Sequence, residues 1–465
     1  MSTTRRGFIT GCSAAVAAYA GTSFNTLAFG DPGEENQEIL VSVFLRGGMD
    51  ALNLVPVIGG ADRGLYEAAR PNLAIPVPGS PTNAALPLAG QFGFHPATNS
   101  FPFGDGEPVP PATLYDLYQD GKLAVVMASG MNEDNRSHFD SMGFMELGTP
   151  GTLSTASGWL TRHMMSATNL LGEIIMPSLA VGNLQQNSLR GSTETINMSD
   201  PDNFSLNVGP WQWRAAQRTA LRSLYGGGSS WLHQSGVETL DAVDIIELNG
   251  GDGDYTPANG AVYPGGSLGD HFQTIAAMIK LDLGLRVATI DFGGWDTHNS
   301  QGSDGGGYFF GHVEELAMAM AAFYTDLDGG GTQAYTQRLT VVVMSEFGRR
   351  LRENADQGTD HGHGSFMLVM GGNAIGGVHG TWPGLANEQL FDRADLEVTT
   401  DYRRVLTEIL IRRMCNNQVG QIFPGYAGYQ PLGVVTGTDL PPIDGNHLFS
   451  DGFESGGVGG WSASS

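Results

Sequence analysis

The stretch LTVVVMSEFGRRLRENADQGTDHGHGS, residues 339–365, decides the fold class. Leu339, Val341, Val342, Val343 and Met344 form an apolar run without alternation, the pattern of a strand covered on both faces in a parallel sheet. The run ends in Ser345-Glu346-Phe347-Gly348-Arg349. A polar loop follows, and then Gly358-Thr359-Asp360-His361-Gly362-His363-Gly364-Ser365. Open α/β sheets form their sites at the C-terminal ends of strands. An acid delivered at a strand end, followed by a dense Asp/His cluster, therefore points to a metal or acid–base site.

The same pattern recurs outward from this stretch. Residues 285–290 are mostly apolar and end in Asp291-Phe292-Gly293-Gly294-Trp295-Asp296-Thr297-His298. Residues 38–45 (EILVSVFL) read as another buried strand, ending in Arg46-Gly47-Gly48-Met49-Asp50. Residues 123–127 (LAVVM) and 366–370 complete the strand set. Helical spacing marks residues 271–283, 313–327 and 402–413, the last with Val405, Leu406, Ile409 and Leu410 on one face. Residues 114–119 read as a short helix and 211–245 as mainly helical. Residues 71–112 and 249–266 are Gly/Pro-rich loops, and 175–210 carry little pattern. The alternation predicts an α/β fold with a mostly parallel sheet, helices on both faces and long inserted loops.

With 48 acids against 23 bases, the net charge of −25 argues against nucleic acid and anionic membrane surfaces as partners. Only Lys122 and Lys280 are lysine. Glycine, 68 of 465 residues, is spread among the strand-like and helix-like segments, which implies loops rather than a disordered chain. Thr4-Arg5-Arg6-Gly7-Phe8-Ile9 ahead of an Ala-rich apolar run has the form of a twin-arginine export signal over residues 1–30. The run is too short for a stable membrane span. Export implies the twin-arginine translocase as a partner and a periplasmic or secreted location. With Cys12 inside the signal, Cys415 is left alone and no intramolecular disulfide forms. A globular region over residues 37–432 and a flexible Gly/Asp/Ser-rich tail over 433–465 complete the expected organisation.

Asp296 and His298 stand two apart, which in extended backbone points both side chains the same way, and His361 and His363 share that spacing. Imidazole with carboxylate suits zinc first, with manganese or iron as alternatives, and the lack of clustered cysteine argues against a structural zinc site. The metal candidates are Asp50, Asp296, His298, Glu346, Asp360, His361 and His363. Ser137, between Arg136 and His138 and after the 123–127 strand, is open to two readings. It is a nucleophile, with Arg136 on a phosphate or sulfate oxygen and His138 beside it, or it is a helix N-cap. His95 reads as structural. No nucleophile elbow, phosphate loop or dinucleotide fingerprint is present; Val343 stands where an elbow needs glycine.

Taken together, FLRGGMDALN (44–53), FGFHP (92–96), RSHFD (136–140), GGWDTH (293–298), SEFGR (345–349) and DHGHGS (360–365) resemble the exported bacterial family called domain of unknown function 1501. The resemblance runs from about residue 1 to 432. That family is similar to the alkaline phosphatase superfamily, with its sulfatases and phosphomutases. The resemblance implies an alkaline-phosphatase-like core with two metals at the strand ends. Asp50 would match the acid after the first strand, Ser137 the nucleophile, and Asp296 and His298 an Asp/His metal pair. Phe347 departs from the pattern, standing where a histidine often follows the acid. The expectation is an exported metal-dependent hydrolase acting on anionic phosphate or sulfate esters, small or polymeric. The alternative is a non-catalytic exported metal-binding protein in surface or periplasmic assembly.

Overall fold

The apolar runs become strands. The computed structural model describes residues 37–100, 109–168, 176–201, 211–249, 255–303, 305–329 and 334–445. Residues 1–30, where the sequence suggests an export signal, and residues 446–465 of the tail lie outside them. Apart from a short antiparallel pair, Leu86–Pro87 with Gly93–Phe94, the strands are β1 (Ile39–Leu45), β2 (Leu123–Gly130), β3 (Ser178–Val181), β4 (Thr195–Met198), β5 (Val287–Phe292) and β6 (Leu339–Ser345), then β7 (Arg349–Glu353), β8 (Thr359–His361), β9 (Ser365–Met370), β10 (Gly377–His379) and β11 (Thr400–Asp401). Nine form one sheet in the order β10-β2-β9-β6-β1-β5-β3-β4, with β11 also paired to β2; β7 and β8 make a separate hairpin. Every pairing in the large sheet is parallel except those of β9.

The antiparallel run of β9 beside β6 departs from a purely parallel reading of the apolar runs. A parallel neighbour needs a crossover of about a dozen or more residues, usually a helix. Residues 346–364 instead fold into the β7–β8 hairpin, so the chain re-enters the sheet the other way. Strands β3 and β4 are short and mixed (SLAV and TINM), and no apolar run marks them.

Helices α1 (Asp62–Ala69), α2 (Leu114–Gln119), α3 (His138–Leu147), α4 (Trp159–Ser166), α5 (Arg214–Tyr225), α6 (Trp231–Asn249), α7 (Ser267–Lys280), α8 (Tyr308–Leu327) and α9 (Tyr402–Arg412) surround the sheet. Alternation along β1 shows how both faces are covered. Ile39, Val41, Val43 and Leu45 join a core with α7 and α8, whereas Leu40 and Phe44 join one with α3, α4 and α9. Helix α5 buries no residue. Its Arg218 and Arg222 pair with Asp241, Asp244 and Glu247 of α6. Among the described residues no helix is long and apolar enough to cross a membrane.

The packed region extends beyond residue 432, where the sequence suggested that a tail begins. The buried Glu408 carboxylate accepts the backbone N–H groups of Leu432, Gly433, Val434 and Val435, and Val434 and Val435 are in the core. A charged side chain with this many donors fixes a backbone segment that composition alone marks as loose.

Candidate metal centre

The C-terminal ends of β1, β5 and β6, three adjacent parallel strands, point the same way. Ser345 Oγ lies 2.7 Å from Leu45 O and accepts from Met49 N–H at 2.9 Å, which pins the end of β6 to the end of β1. The turn after β1 then passes against the turn after β5. At Gly47, with φ of 122°, an added Cβ would lie 2.5 Å from Asp296 N, so glycine is required there. Gly358 plays the same part for the hairpin, since a Cβ there would meet the His298 carbonyl carbon at 2.2 Å.

Asp296 Oδ1 is the focus of the site. His298 Nε2 lies 3.0 Å from it, and His138 Nε2 and His361 Nε2 each lie 3.3 Å away. The ligand atoms of His138, Asp296 and His361 all fall within 4.8 Å of one another. His298 Nε2 is also 2.9 Å from His361 Nε2. Each ring has an acceptor on its far nitrogen. His138 Nδ1 is 2.6 Å from Glu346 Oε1, His361 Nδ1 is 2.9 Å from the Arg136 carbonyl oxygen, and His298 Nδ1 is 3.4 Å from Asp360 Oδ1. Carbonyl and carboxylate oxygens only accept, so a proton on each Nδ1 meets the outer contacts, and with a cation at the centre each Nε2 would turn its lone pair toward it. Two lone pairs 2.9 Å apart repel unless a proton or a cation lies between them.

His138 Nε2 gives an independent sign. It is buried and makes no hydrogen bond, because its 3.3 Å approach to Asp296 is not aligned for one. A buried imidazole nitrogen left without a partner, beside two others and a carboxylate, fits a metal ion of the N/O-preferring kind. Outer acceptors on each ring are the usual support of such ligands.

The charges of the site follow from burial and from these partners. Burial would raise the Asp296 carboxyl, but Arg349, bonded at 2.6 Å, holds it down at about 2. Arg349 is itself buried and donates to the carbonyls of Gly47, Gly48, Trp295 and Thr359. The bond to Glu346 pushes His138 up against the effect of its burial. Burial pushes His361 down, opposed by its bond to the Arg136 carbonyl. Phe347 packs its ring 4.9 Å from His138 and 5.1 Å from His361, an apolar wall in the place where the resemblance suggests a histidine. The site stays open: the side chains of Asp296 and His298 are 48% and 41% exposed, enough for water or a ligand to reach them.

The sequence-derived candidates separate into distinct roles. Asp296, His298 and His361 come together, joined by His138, which the sequence suggested only as a catalytic neighbour. Glu346 and Asp360 stand behind these side chains. The Glu346 oxygen that faces His138 also accepts from Gly47 N–H at 2.9 Å, and Asp360 accepts from Asn354 at 3.1 Å. Asp50 is not a ligand. Its buried carboxylate is taken by Arg70 at 2.6 and 3.0 Å and by Gln301 at 2.6 Å. His363 is also excluded: it turns inward, stacks on Phe391 at 3.9 Å, and burial lowers it to about 4.

Ser137 proves to be the N-cap of α3, its exposed hydroxyl accepting from Asp140 N–H at 3.5 Å. Arg136 is not free to clamp an anion, since Asp134, Asp392 and Asp395 surround its guanidinium. Arg46 is likewise held by Glu146 and Asp291. No second group of three His, Cys or acidic ligand atoms occurs among the described residues, so a two-metal arrangement has no counterpart in them. The roles of Arg349, Arg70 and Gln301 escaped the sequence reading. Only Arg349 had a signal, its place at the strand end.

Residues 247–418 match the model of a family described as a protein of unknown function, DUF1501. The matched segment holds Asp296, His298, Glu346, Asp360 and His361; His138 lies outside it. No curated protein matches the chain.

Proposed function

We propose that this chain is an exported metal-dependent hydrolase of phosphate or sulfate esters, built around one divalent ion. The observation that carries the reading is the convergence of three imidazole Nε2 atoms on Asp296 Oδ1, each ring fixed by an acceptor on Nδ1. His138, His298, His361 and Asp296 would hold the ion. Zinc, manganese or iron bound there would supply Lewis acidity and water of lowered pKa. Glu346 keeps His138 oriented, Arg349 keeps Asp296 ionised, and the exposed rim of Asp296 and His298 admits substrate. With Ser137 engaged as a cap, water rather than a side chain is the nucleophile in this reading.

The test is turnover of 4-nitrophenyl phosphate and sulfate by the metal-loaded chain. Turnover that disappears with chelator and in His361→Ala supports the reading; none with any of the three metals overturns the hydrolase. One observation favours a second reading, a non-catalytic exported metal-binding protein in surface or periplasmic assembly. Arg46, Arg136 and Arg349 are already engaged by carboxylates and carbonyls, which leaves an anionic ester little positive charge beyond the ion itself. Metal binding without turnover would select it.

A further inference from the structure

Gln301, 1% exposed, joins the two chain segments that carry most of the ligand side chains. Its Oε1 accepts from Thr297 Oγ1 at 2.9 Å and from Thr359 Oγ1 at 3.0 Å. Thr297 stands between Asp296 and His298, and Thr359 stands two residues before His361. Both threonines are buried. On its other side Gln301 Nε2 donates to Asp50 Oδ2 at 2.6 Å, and Arg70 locks that carboxylate from two directions.

The orientation of the amide follows from Asp50. An ionised carboxylate only accepts, so the NH2 group must face it and Oε1 must face the threonines. Both lone pairs of Oε1 are then occupied, one by each segment. Backbone bonds run alongside: Thr359 N–H donates to Thr297 O at 3.0 Å, and Gln301 N–H to Gln357 O at 2.9 Å. One side chain therefore joins residues 296–298 to 359–361 alongside these backbone bonds and ties both to the buried Asp50–Arg70 pair.

We propose that Gln301 is a positioning residue of the metal centre, holding the Asp296/His298 turn and the His361 strand at the spacing that a single ion requires. This rests on the metal-centre reading above. Ligands must be held to within about 0.5 Å of productive geometry. Loss of a group bonded directly to a ligand typically weakens metal affinity by about 10–100-fold, and Gln301, bonded to the residues beside the ligands, should fall toward the lower end of that range. Asp50 acts at one further remove, through Gln301.

The experiment measures zinc affinity by chelator competition on the full chain, with the visible spectrum of the cobalt-loaded protein as a readout of ligand geometry. Gln301→Met is expected to bind zinc roughly 10-fold more weakly and to shift the cobalt bands. Thr297→Ser, which keeps the hydroxyl, is expected to match wild type, whereas Thr297→Val follows Gln301→Met. Tyr66→Phe is the control. It removes a hydroxyl that donates to Asn53 at 2.6 Å in the same buried network without touching Gln301. It should lower the melting temperature of the metal-free chain and leave zinc affinity unchanged. Wild-type affinity and cobalt spectrum in both Gln301→Met and Thr297→Val would overturn the brace and leave the metal centre standing. Failure of wild type to bind zinc or cobalt would overturn the metal centre itself. If Gln301→Met does not fold, Thr297→Val and Thr359→Val carry the test alone, with equal affinity again the overturning result.

Discussion

Replacing Arg70 with methionine isolates what Asp50 does. Arg70 is fully buried and makes five hydrogen bonds, two to Asp50, one to Asn53 Oδ1 and two to the carbonyls of Arg350 and Leu351. The substitution keeps most of the side-chain volume but strands an ionised carboxylate that has no exposure. Breaking a buried pair by removing one partner costs roughly 3–5 kcal/mol. For a chain this long, the unfolding entropy makes 1 kcal/mol worth about 1 °C, so the melting temperature should fall by about 3–5 °C. The double variant Asp50→Leu/Arg70→Met removes the stranded charge and should lie between wild type and Arg70→Met, because the two carbonyls and Asn53 still lose their donor and Gln301 Nε2 loses its acceptor. Scanning calorimetry on the chelator-treated chain gives the order. A double variant no more stable than Arg70→Met would refute the argument that the cost lies in an uncompensated Asp50.

Three further outcomes follow from other parts of the structure. Burial lowers His163 to about 4 and His95 to about 3, and each Nδ1 accepts an N–H, from Asn416 and Ala97, that protonation would forfeit. The unfolded chain takes up these protons near 6.5 and the folded chain does not, so their contribution is full above pH 6.5 and is lost as pH falls toward 4. Each histidine adds a slope of about 1.4 kcal/mol per pH unit in that window. Urea midpoints from pH 7 to 4.5 should therefore fall less steeply in His163→Gln than in wild type, and parallel curves would contradict this. Ser137→Ala should cost roughly 1 kcal/mol as a lost cap and leave metal content and any ester turnover intact; abolished turnover with normal metal would return the serine to the chemistry. Saturating zinc at about 100 times its dissociation constant should stabilise the chain by about 2.7 kcal/mol. That is a shift of about 3 °C by calorimetry, absent in His138→Ala; equal shifts in both would remove His138 from the ligand set.

How far the sequence was legible depended on whether a signal is local. Buried parallel strands such as Ile39–Leu45 and Leu339–Ser345 announce themselves as unbroken apolar runs. The direction of β9 is set instead by the hairpin before it, and an apolar run carries no sign of direction. Asp296 and His298 were legible because a two-residue spacing in extended backbone places both on one side. The same logic failed for His361 and His363, because β8 ends at His361 and the chain bends at His363, whose ring stacks on Phe391. At the start of α3 the alternatives were adjacent residues. Ser137 caps the helix while His138, the first helical residue, reaches the site, and only the placement of α3 against the β6 turn separates the two. Asp50 looked like a ligand at a strand end; its partner Arg70 lies 20 residues away at the end of α1, with no motif joining them.

The central claim is that His138, Asp296, His298 and His361 hold one metal ion. Elemental mass spectrometry of the purified full chain, grown with zinc, manganese and iron, tests it most directly when wild type is compared with His361→Ala and His363→Ala. The geometry calls for about one ion per chain in wild type and in His363→Ala, and loss of the ion in His361→Ala. A metal-free wild type, or equal loss in both variants, would contradict it.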